Sequence, residues 1–68
     1  MGMFSQKELN IISDIEDLVK SKVEHDGLPL SGESLDMLKH ECSELCQDTS
    51  IDHKIVVEET LMKLDKAL

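Results

Sequence analysis

Apolar and polar positions alternate along the chain so as to divide it into three segments, each carrying the 3.6-residue period of a helix. In the first, Leu9, Ile11, Ile12, Ile15, Leu18, Val19 and Val23 fall within one half of a helical surface. A stripe of that width can meet two neighbouring helices at once. The second segment has a narrower 3-4-3 spacing, close to a coiled-coil seam, through Leu35, Leu38, Cys42, Leu45 and Cys46. Met37 lies off that seam. The third spreads Ile51, Ile55, Val57, Leu61, Met62, Leu64 and Leu68 over about half its surface and leaves Val56 outside.

End signals agree with these periods. Ser5 and Glu8 form an S-x-x-E capping box, and Phe4 and Leu9 stand at the positions of a hydrophobic staple around it. Gly27, followed by Leu28 and Pro29, supplies a left-handed C-cap that stops the first helix near His25 or Asp26. Ser31 opens the second helix, with Leu30 and Leu35 as its staple. Thr49 with Asp52 reads as a further capping box, with Ser50 or Asp48 as competing caps. Lys63 and Lys66 complement the dipole at the end of the third helix. Glu16 with Lys20 and Glu59 with Lys63 are i, i+4 pairs in the favoured order. The predicted helices are 6–25, 32–47 and 51–67, within one domain over 1–68. Short connections make consecutive helices antiparallel neighbours. The expected fold is all-α: an up-down-up three-helix bundle or open array, which a second copy would complete.

Size and composition narrow the function classes. A chain of 68 residues buries only about 60% of the surface exposed when unfolded, so it is marginal without a staple or partner. Two cysteines close at most one bridge, too few for a disulfide scaffold. Met1, Gly2, Met3 and Phe4 lack the basic start and apolar core of a secretory signal, and the longest apolar run, Ile55 to Val57, is far too short to span a bilayer. The expectation is a cytoplasmic protein with free thiols. Fifteen acidic residues face seven lysines, arginine is absent, and the net charge is −8. Such a chain repels phosphate backbones and anionic lipid surfaces, which argues against direct nucleic-acid or membrane binding. The stretch from Leu45 to Val56 has helix-turn-helix spacing, but the helix that follows its turn, beginning Ile51-Asp52-His53-Lys54, lacks the Arg, Asn or Gln base readers of that motif.

The densest candidate chemistry is His40-Glu41-Cys42-Ser43-Glu44-Leu45-Cys46. Cys42 and Cys46 share a helix face one turn apart, a spacing that suits a soft metal, with His40 as a third candidate ligand. The same two positions lie on the apolar seam, where a free Cys serves as a small hydrophobe. Glu44 stands where H-E-x-x-H would need its second His. Two sulfurs one turn apart on a regular helix fit disulfide geometry poorly, and no C-x-x-C occurs. Core packing is therefore the preferred reading, with no metal and no cofactor. Glycine occurs only at positions 2, 27 and 32, so no phosphate-cradling loop exists, and His25 and His53 occupy ordinary helix-end positions. The chain is expected not to be an enzyme.

What remains is contact. Met1, Met3, Phe4, Met37 and Val56 are apolar residues outside the stripes, and together with Met62 they mark a surface for another protein or for a second copy. Phe4, Met37, Val56 and Met62 are the candidate partner-binding residues. Asp14, Glu16, Asp17, Glu24 and Asp26 on the first helix, with Glu33, Asp36, Glu41 and Glu44 on the second, form an acidic exterior. That exterior either keeps the protein soluble or steers a basic partner. The expected function is a small regulatory or adaptor protein acting by protein–protein interaction, with homodimerisation. Two alternatives are an acidic inhibitor that competes with nucleic acid for a basic target, and a metal or redox module built on Cys42 and Cys46.

Overall fold

Each helix begins where a short polar side chain takes up the first unsatisfied amides and an apolar residue precedes it. In the computed structural model, which describes residues 3–67, the helices are α1 (Gln6–Asp26), α2 (Gly32–Leu45) and α3 (His53–Ala67), each in contact with the other two. Met1 and Leu68 lie outside the described residues. Ser5 caps α1 with the complete reciprocal box: its Oγ accepts from the Glu8 amide at 3.2 Å, and Glu8 Oε1 accepts from the Ser5 amide at 3.2 Å. Ser31 caps α2 by accepting from the Ser34 amide at 3.1 Å. Leu30 and Leu35 on either side of that cap both pack against the core.

The third start differs from the expected one, and the difference propagates along α3. Asp52 is the cap, accepting the Lys54 amide on Oδ1 at 3.1 Å. Thr49 instead stitches the preceding turn: its hydroxyl donates to the Cys46 carbonyl at 3.0 Å and accepts from the Ile51 amide at 3.2 Å. Hence α2 ends at Leu45 rather than 47, with Cys46 as its C-cap, and α3 starts at His53 rather than 51. With Asp52 as cap, Ile51 and Val56 take the two staple positions. Ile51 is buried and Val56 packs half-buried against the core, so Val56 is not outside the apolar stripe. Ile55, placed inside that stripe by periodicity, faces out, and so does Met62. Thr60 fills the vacated inward position, its hydroxyl satisfied by the Val56 carbonyl at 2.8 Å.

The core is Ile15 and Val19 from α1, Leu38, Cys42 and Cys46 from α2 and its cap, and Ile51 and Val57 from the last loop and α3. Leu45, expected on the seam, sits at its exposed edge. At 1.5 Å per residue, the 21 residues of α1 measure about 31 Å, which accounts for the 32 Å long dimension of the molecule. The other helices are a third shorter. Leu61, Met62 and Asp65 of α3 share a groove with Leu28, Pro29, Leu30 and Leu35, so the end of α3 returns to the α1–α2 loop and the bundle runs up, down, up. The unmatched length of α1 is therefore its first turns, and Phe4 and Leu9 there are about half exposed.

At the end of α1, Gly27 has φ 77° and ψ 177°, and its amide donates to the Val23 carbonyl at 2.7 Å. The positive φ matches the expected cap. The extended ψ does not: the chain leaves the helix straight rather than curling back, in a conformation essentially confined to glycine. The next peptide, Leu28–Pro29, is cis. A Cβ on Gly27 would meet nothing within 4 Å, so backbone conformation alone opposes a side chain there. Gly27→Ala should cost about 1–3 kcal/mol in urea unfolding. D-alanine at the same position, in a chemically synthesised chain, should equal the native protein or exceed it by up to about 1 kcal/mol. Equal losses for the two enantiomers would show that space, not φ, is the constraint.

Candidate functional site

The two cysteines are resolved by burial. Cys42 is fully buried and Cys46 nearly so, both as free thiols among Ile15, Val19, Leu38 and Val57. Burial pushes the Cys42 thiol up to about 11, with the neighbouring Cys46 and Glu41 adding to the effect. Burial also raises Cys46, against a smaller opposing pull from Thr49. A thiolate is the metal ligand and the nucleophile, so both sulfurs are held in the unreactive form. His40 is not with them: it lies on the exposed side of α2, its Nε2 3.4 Å from Glu44 Oε1. Among the described residues, no three His, Cys, Asp or Glu side chains converge on a point that could hold a metal ion.

A polar cluster that periodicity does not reveal joins α1 to α2. Asp26, the last residue of α1, accepts from the Ser34 hydroxyl at 2.7 Å, lies 2.6 Å from His25 Nδ1 and is 3.4 Å from Lys22 Nζ. Its carboxyl is held down at about 2, first by the His25 bond, then by the Ser34 bond, with Lys22 assisting. Ser34 is at N3 of α2, where a full capping box would carry Glu or Gln. That departure is the one cue in the sequence to its different task. Ser, His and Asp are the residue types of a hydrolytic triad, but here the carboxylate sits in the middle. In such a triad the imidazole, not the carboxylate, contacts the serine hydroxyl. With Asp26 holding both partners, the cluster is a clamp between helices.

The candidate contact residues separate into different places. Met37, 55% exposed, lines an open groove of about 290 Å³ between α1 and α2 with Leu18, Lys22, His25, Leu38 and Glu41. Met62, 59% exposed, forms the wall between two grooves along α3, one of about 520 Å³ facing the α1–α2 loop and one of about 180 Å³ with Glu59, Lys63 and Lys66. Phe4, 49% exposed, is on the overhang of α1. Val56 is packed inward and is not part of an exposed patch. Among the described residues, the i, i+4 ion pair is Lys22–Asp26, with His40 and Glu44 also in contact one turn apart, rather than Glu16–Lys20 and Glu59–Lys63. No helix among them is long and apolar enough to cross a membrane. Compared with known proteins, the chain matches no protein-family model, no curated protein and no solved structure.

Two outcomes follow from this chemistry. Because folding holds the Asp26 pKa below its ordinary 3.8, the charged form favours the fold; that contribution is complete above about pH 4 and disappears as pH falls toward about 2. Asp26→Asn should therefore lose stability at neutral pH and show a shallower fall between pH 4 and pH 2 than the native protein; parallel profiles would refute the clamp. For the thiols, Ellman's reagent should modify the native protein at least about tenfold more slowly than the protein in urea, since reaction waits on opening. Burst modification of one thiol in native buffer would place that sulfur at the surface.

Proposed function

We propose that the protein acts by binding another protein, as a regulatory or adaptor module and without catalysis, through the face shared by α1 and α2. The observation that supports this most directly is Met37, an exposed flexible apolar side chain at the mouth of an open groove between two acidic helices. Met adapts its shape to varied partners. The groove is open to solvent, which suits a docking surface better than an enclosed reaction site. Lys22 is paired with Asp26, which leaves Glu41 as the carboxylate lining the groove, on two helices that together carry ten carboxylates against four lysines. A complementary partner presents an apolar anchor ringed by Lys or Arg. Carboxylates at the rim would speed its approach, and the Met37 contact would hold it.

The competing reading, an acidic inhibitor that occupies a nucleic-acid-binding surface, relies on charge alone and differs in salt dependence. The test is affinity purification from the source cells with the native protein and with Met37→Asp, at about 0.1 and about 0.5 M salt. A partner kept by the native protein at both salts and lost by the variant is the expected result. Partners that wash off at the higher salt and ignore Met37→Asp would favour the inhibitor. Identical retention at both salts by both proteins would remove the α1–α2 face from consideration.

A further inference from the structure

The charge of this molecule is unevenly placed. α3 carries three lysines, Lys54, Lys63 and Lys66, against three carboxylates, Glu58, Glu59 and Asp65, and is neutral. The rest of the chain sets four lysines against twelve carboxylates, so the entire −8 lies outside α3. Two copies meeting through α1 or α2 would bring like charges together. α3 is the helix on which they can meet without that repulsion.

Its outer face is also built to match itself. At 100° per residue, Ile55, Glu59, Met62 and Lys66 fall within about 60° of arc, on the side opposite the buried Val57 and Thr60. Along that face the carboxylates Glu58 and Glu59 come first and the ammonium groups of Lys63 and Lys66 follow. Met62 is exposed between the two charge groups, and Ile55 is exposed one turn before the carboxylates. Glu59 and Lys63 form no ion pair within the chain among the described residues, although one helical turn separates them.

We propose that this face is a self-association surface, on which two copies pack α3 against α3, antiparallel, about a two-fold axis beside Met62. The symmetry does what a single helix cannot. Antiparallel pairing sets the acidic half of one α3 against the basic half of the other, twice over. With the axis near residue 61, Glu59 of one copy stands level with Lys63 of the second, and the aliphatic stem of Lys66 covers Ile55. The two Met62 side chains meet near the axis, beside the apolar groove walled by Leu30, Leu35 and Leu61. This inference does not depend on the α1–α2 partner site; the dimer would leave both copies of that face outward.

Sedimentation equilibrium over a wide concentration range, with circular dichroism to confirm helix content, tests it. The native protein should pass from the 7.7 kDa of one chain to twice that mass. Met62→Asp, at an exposed position, should weaken association at least about tenfold. A charge-swap pair provides the second arm. Glu58→Lys/Glu59→Lys and Lys63→Glu/Lys66→Glu should each remain monomeric alone and form a heterodimer when mixed one to one. A native protein that stays monomeric throughout would overturn the proposal. So would a dimer indifferent to Met62→Asp, one abolished instead by Phe4→Asp, or a mixture of the swapped variants that fails to associate.

Discussion

Ile15, Val19, Cys42 and Val57 are sealed from water, and they are the contact on which the three helices converge. All four are compact, three are β-branched, and none is aromatic. Close approach of the helices follows, because small stiff side chains fill little space between backbones and lose little rotamer freedom when fixed. It also leaves the fold with slender reserves. Truncating one such Ile or Val typically costs about 1–5 kcal/mol, against about 3–5 kcal/mol of total stability for a core of this size. Cys42 belongs to this set as a space-filling group, and its raised pKa is the electrostatic face of the same burial.

With so little core, the helix ends bear much of the specification. Every helix opens on a side-chain cap, Ser5, Ser31 or Asp52, preceded by an apolar residue. In α2 and α3 that residue and its mate one turn into the helix pack on the core, so the cap sets the entry angle and the tertiary packing fixes it in turn. The first loop is governed by Gly27, whose backbone conformation sends the chain straight off α1, and by Asp26, which reaches across to Ser34 and ties the two helices at the point where they separate. The second is governed by Thr49, which satisfies two backbone groups of its turn. Gly27 and Thr49 satisfy backbone groups freed where a helix stops, whereas Asp26 ties the two helices through side chains alone.

The outside of the molecule divides along the same lines as the inside. α1 and α2 carry the surplus carboxylates and enclose the groove at Met37; α3 is electrically balanced and presents Ile55 and Met62. The proposed partner face and the proposed self-association face are thus on different helices and call for different chemistry. One is an apolar anchor within an acidic field, favoured by a basic partner. The other is a neutral, self-complementary stripe, for which the matching surface is its own copy.

How much of this was legible in the sequence follows from how local each feature is. The existence of three helices, the Ser5 box, the Ser31 cap and the core role of Cys42 and Cys46 depend on residues within one or two turns of each other, and periodicity and capping chemistry reveal them. The acidic character is a property of composition alone. The start of α3 was not legible, because Asp48, Thr49, Ser50 and Asp52 all have capping side chains, and choosing among them depends on which apolar neighbour reaches the core. Ile51 does so, and that contact with α1 and α2 rotates the whole of α3, drawing Val56 and Thr60 in and turning Ile55 and Met62 out. The Asp26–Ser34 bond was hidden for the same reason: residues eight apart meet only because the backbone between them turns back at Leu28 and Pro29. Only packing could separate Phe4, Met37 and Met62 into three different places on the surface, since spacing along one helix carries no information about which faces the other two will cover.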